Sequence, residues 1–192
     1  MATIGLKFPV FGKYTEDEEN RTTSYADGKI MGRAIRLSYT LNIAEAPLYA
    51  DDGIAESVRE FTGGTLSVNP DDLDGDVGSD LYGQTVKTVT VDTEEVEEYV
   101  SNESDTSTYV GVGAYATKVR GGKKLFRALF FHKVQFSPPN DTFETKGSSV
   151  NWQTPTIEGT IMRDVKGDWK SEITVESEEL ARAWLKQKVA MN

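Results

Sequence analysis

Residues 32–45 alternate: Ile35, Leu37, Tyr39, Leu41 and Ile43 fall on one side, while Arg36, Ser38, Thr40 and Asn42 fall on the other, with Arg33 the one interruption. Only an extended chain sends successive side chains to opposite faces, so this stretch predicts a long half-buried strand that needs partners. Residues 47–53 read as a turn, and 56–68 as a second strand broken at Gly63-Gly64, where missing side chains permit a bulge or sharp bend. Long interrupted strands point to a sandwich or barrel.

The rest of the chain reads in the same terms. Residues 4–14 are apolar and aromatic with Pro9 and Gly12 and suit a short edge strand or extended arm, whereas 15–28 (TEDEENRTTSYADG) have no aliphatic side chain and read as a mobile loop. In NPDDLDGDVGSDLYG, Asn69 suits a helix N-cap and Pro70 the first helical position, Leu73, Val77 and Leu81 recur every four residues, and Gly83 stops the turn. Strands are predicted over 85–91, 109–119 and 124–136, the last two joined at Gly121-Gly122, a pair suited to a primed hairpin turn. A second hairpin is predicted from 150–163 and 169–175, turned by DVKGD, and a helix over 178–189. The expected fold is mainly β, an antiparallel sandwich or barrel with one short internal helix and a C-terminal helix, in one domain spanning 1–192 with an arm (1–14) and the loop 15–28.

Composition removes several chemistries. The chain has 192 residues, no cysteine and one histidine, so disulfides, thiolate nucleophiles, cysteine-held zinc and multi-histidine metal sites are excluded, and a Ser-His-Asp relay could use only His132. His132 shares the apolar phase of Phe126, Phe130, Val134 and Phe136, which favours a hydrogen-bonded structural histidine, and no GxSxG elbow accompanies it. Asp72, Asp74 and Asp76 have the spacing of an EF-hand's first ligands, but Val77 and Gly83 stand where that loop needs glycine and glutamate. No enzyme activity, metal or cofactor is expected. Mean hydropathy is −0.46 and no segment suits a leader or a membrane span, so the chain is expected to be made in the cytoplasm, with no membrane partner.

The net charge of −10 hides an asymmetry. Residues 1–117 hold 8 basic and 22 acidic side chains, net −14, and residues 118–192 hold 13 and 9, net +4. A net-negative chain repels phosphate, which argues against nucleic-acid binding, while a basic turn at Arg120, Lys123 and Lys124 suits contact with an acidic surface on another copy.

Several segments together resemble the major tail proteins that build the tail tube of long-tailed, noncontractile bacteriophages (siphophages). They are ATIGLKFPVFGKY, LYADDGIAES, FTGGTLSVNPDDL, FETKGSSVNWQTPTIEGTIM and the closing AWLKQKV, in an order that spans nearly the whole chain. The resemblance implies a β-sandwich-like tail-tube fold with a flanking helix, and hexameric rings stacked into a tube. One sheet of each subunit would line a channel for DNA ejection into the host. Implied partners are further copies, a tape-measure protein, a tail terminator and baseplate or distal tail proteins, with DNA in non-specific transit; the implied location is the virion tail. Expected ring-stacking residues are Glu16, Asp17, Glu18, Glu19 and Arg21 in the loop, Asp51, Asp52, Glu56, Arg59 and Glu60 after the long strand, and Arg120, Lys123 and Lys124. Expected lumen-facing residues are Ser38, Thr40 and Asn42, with Glu94, Glu95, Glu97 and Glu98. Two alternatives stand beside this: a tail-terminator or baseplate component, or a monomeric sandwich binding a cell-surface glycan or protein through Trp152, Trp169 and Tyr109, aromatics that more often belong to a core.

Overall fold

A computed structural model describes residues 3–50, 53–145 and 152–192. Its strands are β1 (Thr3–Asp17), β2 (Thr22–Ile30), β3 (Ala34–Ala50), β4 (Gly53–Pro70), β5 (Thr85–Val91), β6 (Glu94–Val100), β7 (Tyr109–Arg120), β8 (Lys123–Ser137), β9 (Ile157–Met162) and β10 (Lys170–Val175). The helices are α1 (Gly75–Tyr82) and α2 (Glu178–Lys188). All described pairings are antiparallel: the large sheet runs β2-β1-β7-β8-β9-β4-β3, with β10 also on β8, and β5-β6 form a two-stranded sheet of their own. The expected class, mainly β and sandwich-like with two helices, is what forms.

β8 is the spine. One edge pairs with β7 across the Gly121-Gly122 turn, whose φ values of 58° and 77° are those a two-residue primed turn requires. The other edge forks: residues 126–131 pair with β10 and 133–137 with β9, and at the fork the His132 amide donates to Trp169 O (3.1 Å). Phe130 and Phe131, adjacent and both buried, therefore serve opposite faces. Phe130 packs with Val10, Tyr115, Ala181, Leu185 and Val189 under α2. Phe131 joins a second cluster with Phe11, Leu66, Val112, Val134, Ile157 and Ile161, against which α1 lays Val77 and Leu81.

α2 begins where Ser177 Oγ accepts the amides of Glu179 (3.2 Å) and Leu180 (3.4 Å), with Glu178 and Glu179 at its positive end and Lys186 and Lys188 at its negative end.

Five expectations need correction. Residues 15–28 are not a loop but the distal part of the β1-β2 hairpin, with Tyr14 opposite Tyr25 and Glu16 opposite Thr23. The strands are polar because most of their side chains face outward, and Asp17 ties the turn by accepting from Asn20 N (3.0 Å) and Nδ2 (2.7 Å). β1 is no edge strand either: it lies between β2 and β7, and a register shift between Lys7 and Val10 accommodates Pro9. β3 runs through Pro47 to Ala50, because its partner β4 starts at Gly53. α1 starts at Gly75, with Asp74 as its N-cap residue, rather than at Pro70. Asn69 instead stays in β4, its Nδ2 donating to Pro155 O (2.5 Å) and Thr156 Oγ1 (3.0 Å). Finally, β9 and β10 pair with β8 and not as a hairpin with each other, and residues 150–151 lie outside the described residues.

Candidate functional site

The most extensive chemically uniform surface is the outer face of β3-β4-β9-β8. Cross-strand register puts Ser38, Ser67, Glu158 and Ser137 in one row and Thr40, Thr65, Thr160 and Gln135 in the next, with Arg36 opposite Asn69 and Asn42 opposite Gly63. The alternate residues of the same strands, Leu66, Val68, Ile157, Ile161, Val134 and Phe136, are buried beneath. One face is core and the other hydroxyl and amide, with a shallow depression of about 370 Å³ lined by Arg36, Ser38, Thr40, Thr65 and Ser67. Ser38, Thr40 and Asn42 thus share a surface. Glu94, Glu95, Glu97 and Glu98 do not join it: they stand on β6, where Glu95 and Glu97 face one way and Glu94 and Glu98 the other.

Beyond the sheet, β3 and β4 continue as a free hairpin. β9 accompanies β4 only over residues 64–68, so 43–50 and 53–62 pair only with each other and form an arm about 25 Å long at about 3.3 Å per residue. The bulge that releases it falls where expected, between Asn42 and Ile43 opposite Gly63. Ile43, Leu48, Ile54 and Val58 on the arm are all more than half exposed. Glu56, Arg59 and Glu60 are arm residues; Arg59 pairs with Glu45 (2.9 Å) and Glu60 with Arg163 (3.2 Å). Asp51 and Asp52, also expected here, lie outside the described residues.

Of the residues expected at the 15–28 segment, Glu18 and Glu19 are exposed at the turn, Asp17 is spent on Asn20, and Arg21 donates to Val165 O (3.2 Å). Glu16 accepts from Lys133 (2.7 Å) and Tyr14 (2.5 Å), and those two bonds, Lys133 first, hold its carboxyl below the ordinary value. Lys133 also sits over the Tyr14 and Tyr109 rings.

His132 has both ring nitrogens engaged, Nδ1 with Asp164 Oδ2 (3.0 Å) and Nε2 with Ser171 Oγ (2.7 Å). The atoms follow the order of a Ser-His-Asp relay. Yet Asp164, buried, also accepts the amides of Lys166 and Asp168 (both 2.9 Å), and Ser171 lines neither cavity described here. The group ties β8 and β10 to the 164–168 turn. Asp168 would complete a three-ligand set, but an ion there would have to break bonds already made. Two aspartates within α1 hold lysines: Asp80, in its last turn, lies 2.9 Å from Lys13 and 2.6 Å from Lys29, which also reaches Asp76 (3.1 Å) in the first turn.

Trp169 stacks on Phe61 (centroids 4.7 Å apart, 13° between planes) against the core. Tyr109 and especially Trp152 are exposed, contrary to the expectation that these aromatics are core. Trp152 faces a cavity of about 710 Å³ with Asp72, Asp141, Phe143 and Glu144, and the Gln153 amide bridges its walls, accepting from Glu144 N (3.0 Å) and donating to Thr142 O. Sequence reasoning missed this groove, because residues 139–144 carry no periodic pattern and the Gln153 amide that joins them to 152–156 belongs to no regular element. Among the described residues no helix is long and apolar enough to cross a membrane. The sequence matches no protein-family model and no curated protein.

Proposed function

We propose that this chain is a structural subunit that polymerises through its own surfaces, and more particularly a tail-tube subunit of a long-tailed, noncontractile phage. The observation that carries the proposal is the polar face of β3-β4-β9-β8. A surface lining a DNA conduit must be wettable and must not hold phosphates, since each cation paired with a phosphate releases counterions and retards the passing strand. Rows of Ser, Thr, Asn and Gln meet that need. The cations at this face, Arg36 and Lys133, are balanced by Glu158 in the neighbouring row and by Glu16 bonded to Lys133.

Assembly is supported by the arm. A two-stranded hairpin with four exposed aliphatic residues is marginal alone and gains order when another subunit covers it. Contact between unlike surfaces propagates, as rings where rotation closes and as a filament along the axis where it does not. On this reading the copies form stacked hexameric rings that carry DNA to the host. The tape-measure, terminator and distal tail proteins bound the tube's length and ends.

Negative-stain electron microscopy with light scattering, across protein and salt concentration, tests this. Rings or hollow tubes with a channel wide enough for duplex DNA are expected; a strict monomer under every condition overturns the proposal.

A further inference from the structure

Among the described residues, the most exposed large apolar side chains are Phe143 (91%) and Trp152 (90%), well above the arm's Val58 (64%). They share one groove, together with three carboxylates, Asp72, Asp141 and Glu144, that make no ion pair among the described residues. Open rings beside unpaired carboxylates suit a cation, which is attracted to the ring face and to the carboxylate at once.

The same chain carries such a cation source elsewhere. At the β7-β8 tip, four cations within seven residues, Lys118, Arg120, Lys123 and Lys124, also lack a carboxylate partner among the described residues. The tip is slim and projects: nothing lies within 4 Å of a Cβ built on Gly121 or Gly122, and Val119 beside them is 48% exposed. Knob and groove are both open on one molecule and opposite in charge.

We propose that the Lys118–Lys124 tip of one copy seats in the Phe143/Trp152 groove of the next, with the cations over the rings and against Asp72, Asp141 and Glu144. This rests on the self-assembly reading and goes beyond it by naming both halves of one contact. The free β3-β4 arm is a poorer occupant, because residues 43–62 carry five carboxylates against the single cation Arg59 and would repel the groove's own carboxylates. A neutral glycan would stack on the rings but leave the carboxylates unmatched.

Two measurements test it. Because the chain has no cysteine, Val119→Cys and Thr142→Cys each introduce a lone thiol. Mixed in equal amounts under mild oxidant, the two variants are expected to give the mixed disulfide far beyond the twofold excess over each homodimer that random pairing yields, with a return to that ratio when Lys123→Glu/Lys124→Glu is added to the Val119→Cys chain. Yields in the random 1:2:1 ratio, or yields unchanged by charge reversal, overturn the contact.

In the second measurement, Lys123→Glu/Lys124→Glu and Asp141→Lys/Glu144→Lys are each expected to lose self-association, and an equimolar mixture to regain it, since every tip then meets a groove of opposite charge. Trp152→Ala should weaken association about thirtyfold, as loss of an aromatic anchor does. Normal tubes from Lys123→Glu/Lys124→Glu would sink this contact and leave the tube reading standing. A mixed disulfide without tubes would support the contact and count against the tube. Trp152 fluorescence that responds to an oligosaccharide while the mixed disulfide fails to form would assign the groove to a glycan instead.

Discussion

Leu185 of α2 crosses Gly113 of β7 with no room for a further methyl group. A methyl group placed on Gly113 would come within 2.5 Å of Leu185 Cδ2, 3.0 Å of Leu129 O and 3.2 Å of Phe130 Cδ2, and Leu185 is fully buried. Gly113→Ala must therefore push α2 outward. Overpacking of this kind costs about 1–3 kcal/mol, partly offset by the 0.5–1 kcal/mol that roughly separates alanine from glycine in regular structure, so a net loss of about 1–2 kcal/mol is expected. Leu185→Ala leaves a cavity under the helix and should cost about 3 kcal/mol. In the double variant the new methyl occupies part of that cavity, and the loss should stay near 3 kcal/mol instead of summing to about 4–5, a coupling of about 1–2 kcal/mol. Urea unfolding followed by tryptophan emission, which includes Trp184 on α2, measures all four corners of the cycle. The protein must be dilute enough that association adds nothing. Additive losses, or a Gly113→Ala variant as stable as the parent, would refute the packing argument.

Other perturbations follow from the polar contacts. Burial pushes the Asp80 carboxyl up, but Lys29 and Lys13 outweigh it and leave it below the ordinary value; both lysines are raised in turn, chiefly by their bonds to Asp80. A lowered carboxyl contributes stability above its unfolded value of about 3.9 and loses it as pH falls through the folded value. Asp80→Asn should thus cost about 1 kcal/mol at neutral pH, a figure reduced because both lysines reach solvent, and urea midpoints of variant and parent should converge below about pH 3. Asp164→Ala removes the acceptor of two turn amides and of His132, and should lower stability by about 2–4 kcal/mol in the same urea experiment. Trp152→Phe should leave the dilute monomer's stability within about 0.5 kcal/mol and remove most of the iodide-quenchable part of its emission, since Trp169 and Trp184 are half-buried.

How far the sequence reports this molecule depends on whether a residue's partner is near in the chain. The β3 alternation, the Gly121-Gly122 turn and the capped α2 are governed by neighbours, and each is where periodicity and turn chemistry put it. The 15–28 segment misleads because a hairpin end whose side chains are mostly polar and exposed has the composition of a loop, with Tyr25 alone reaching the core; its identity comes from β1 opposite, and from the Thr15-Ser24 hydroxyl pair at 2.7 Å. Asn69 and Pro70 carry a convincing helix-start signature, but residues 154–156, far along the chain, claim the Asn69 amide first. Among the candidate surfaces, Ser38, Thr40 and Asn42 were legible as one side of a strand. Their neighbours Thr65, Ser67, Glu158 and Thr160 were not, since only pairing brings them alongside. The Glu94–Glu98 run reads as one acidic patch in sequence and splits between two faces once it is a strand.

The fork in β8 also governs the order of events during synthesis. One edge finds β7 already made, but the forked edge waits for strands from residues 157–162 and 170–175, and the backbone of β1 at Gly12 lies against Val189, just past α2. Neither core cluster can close on a nascent chain until the strands and helix beyond residue 157 have left the ribosome, because loops this long must shut before their contacts repay the lost entropy. Neighbouring chains on one polysome therefore carry unfinished bodies, and the polar face of β3-β4-β9-β8 is complete only once its own chain is whole.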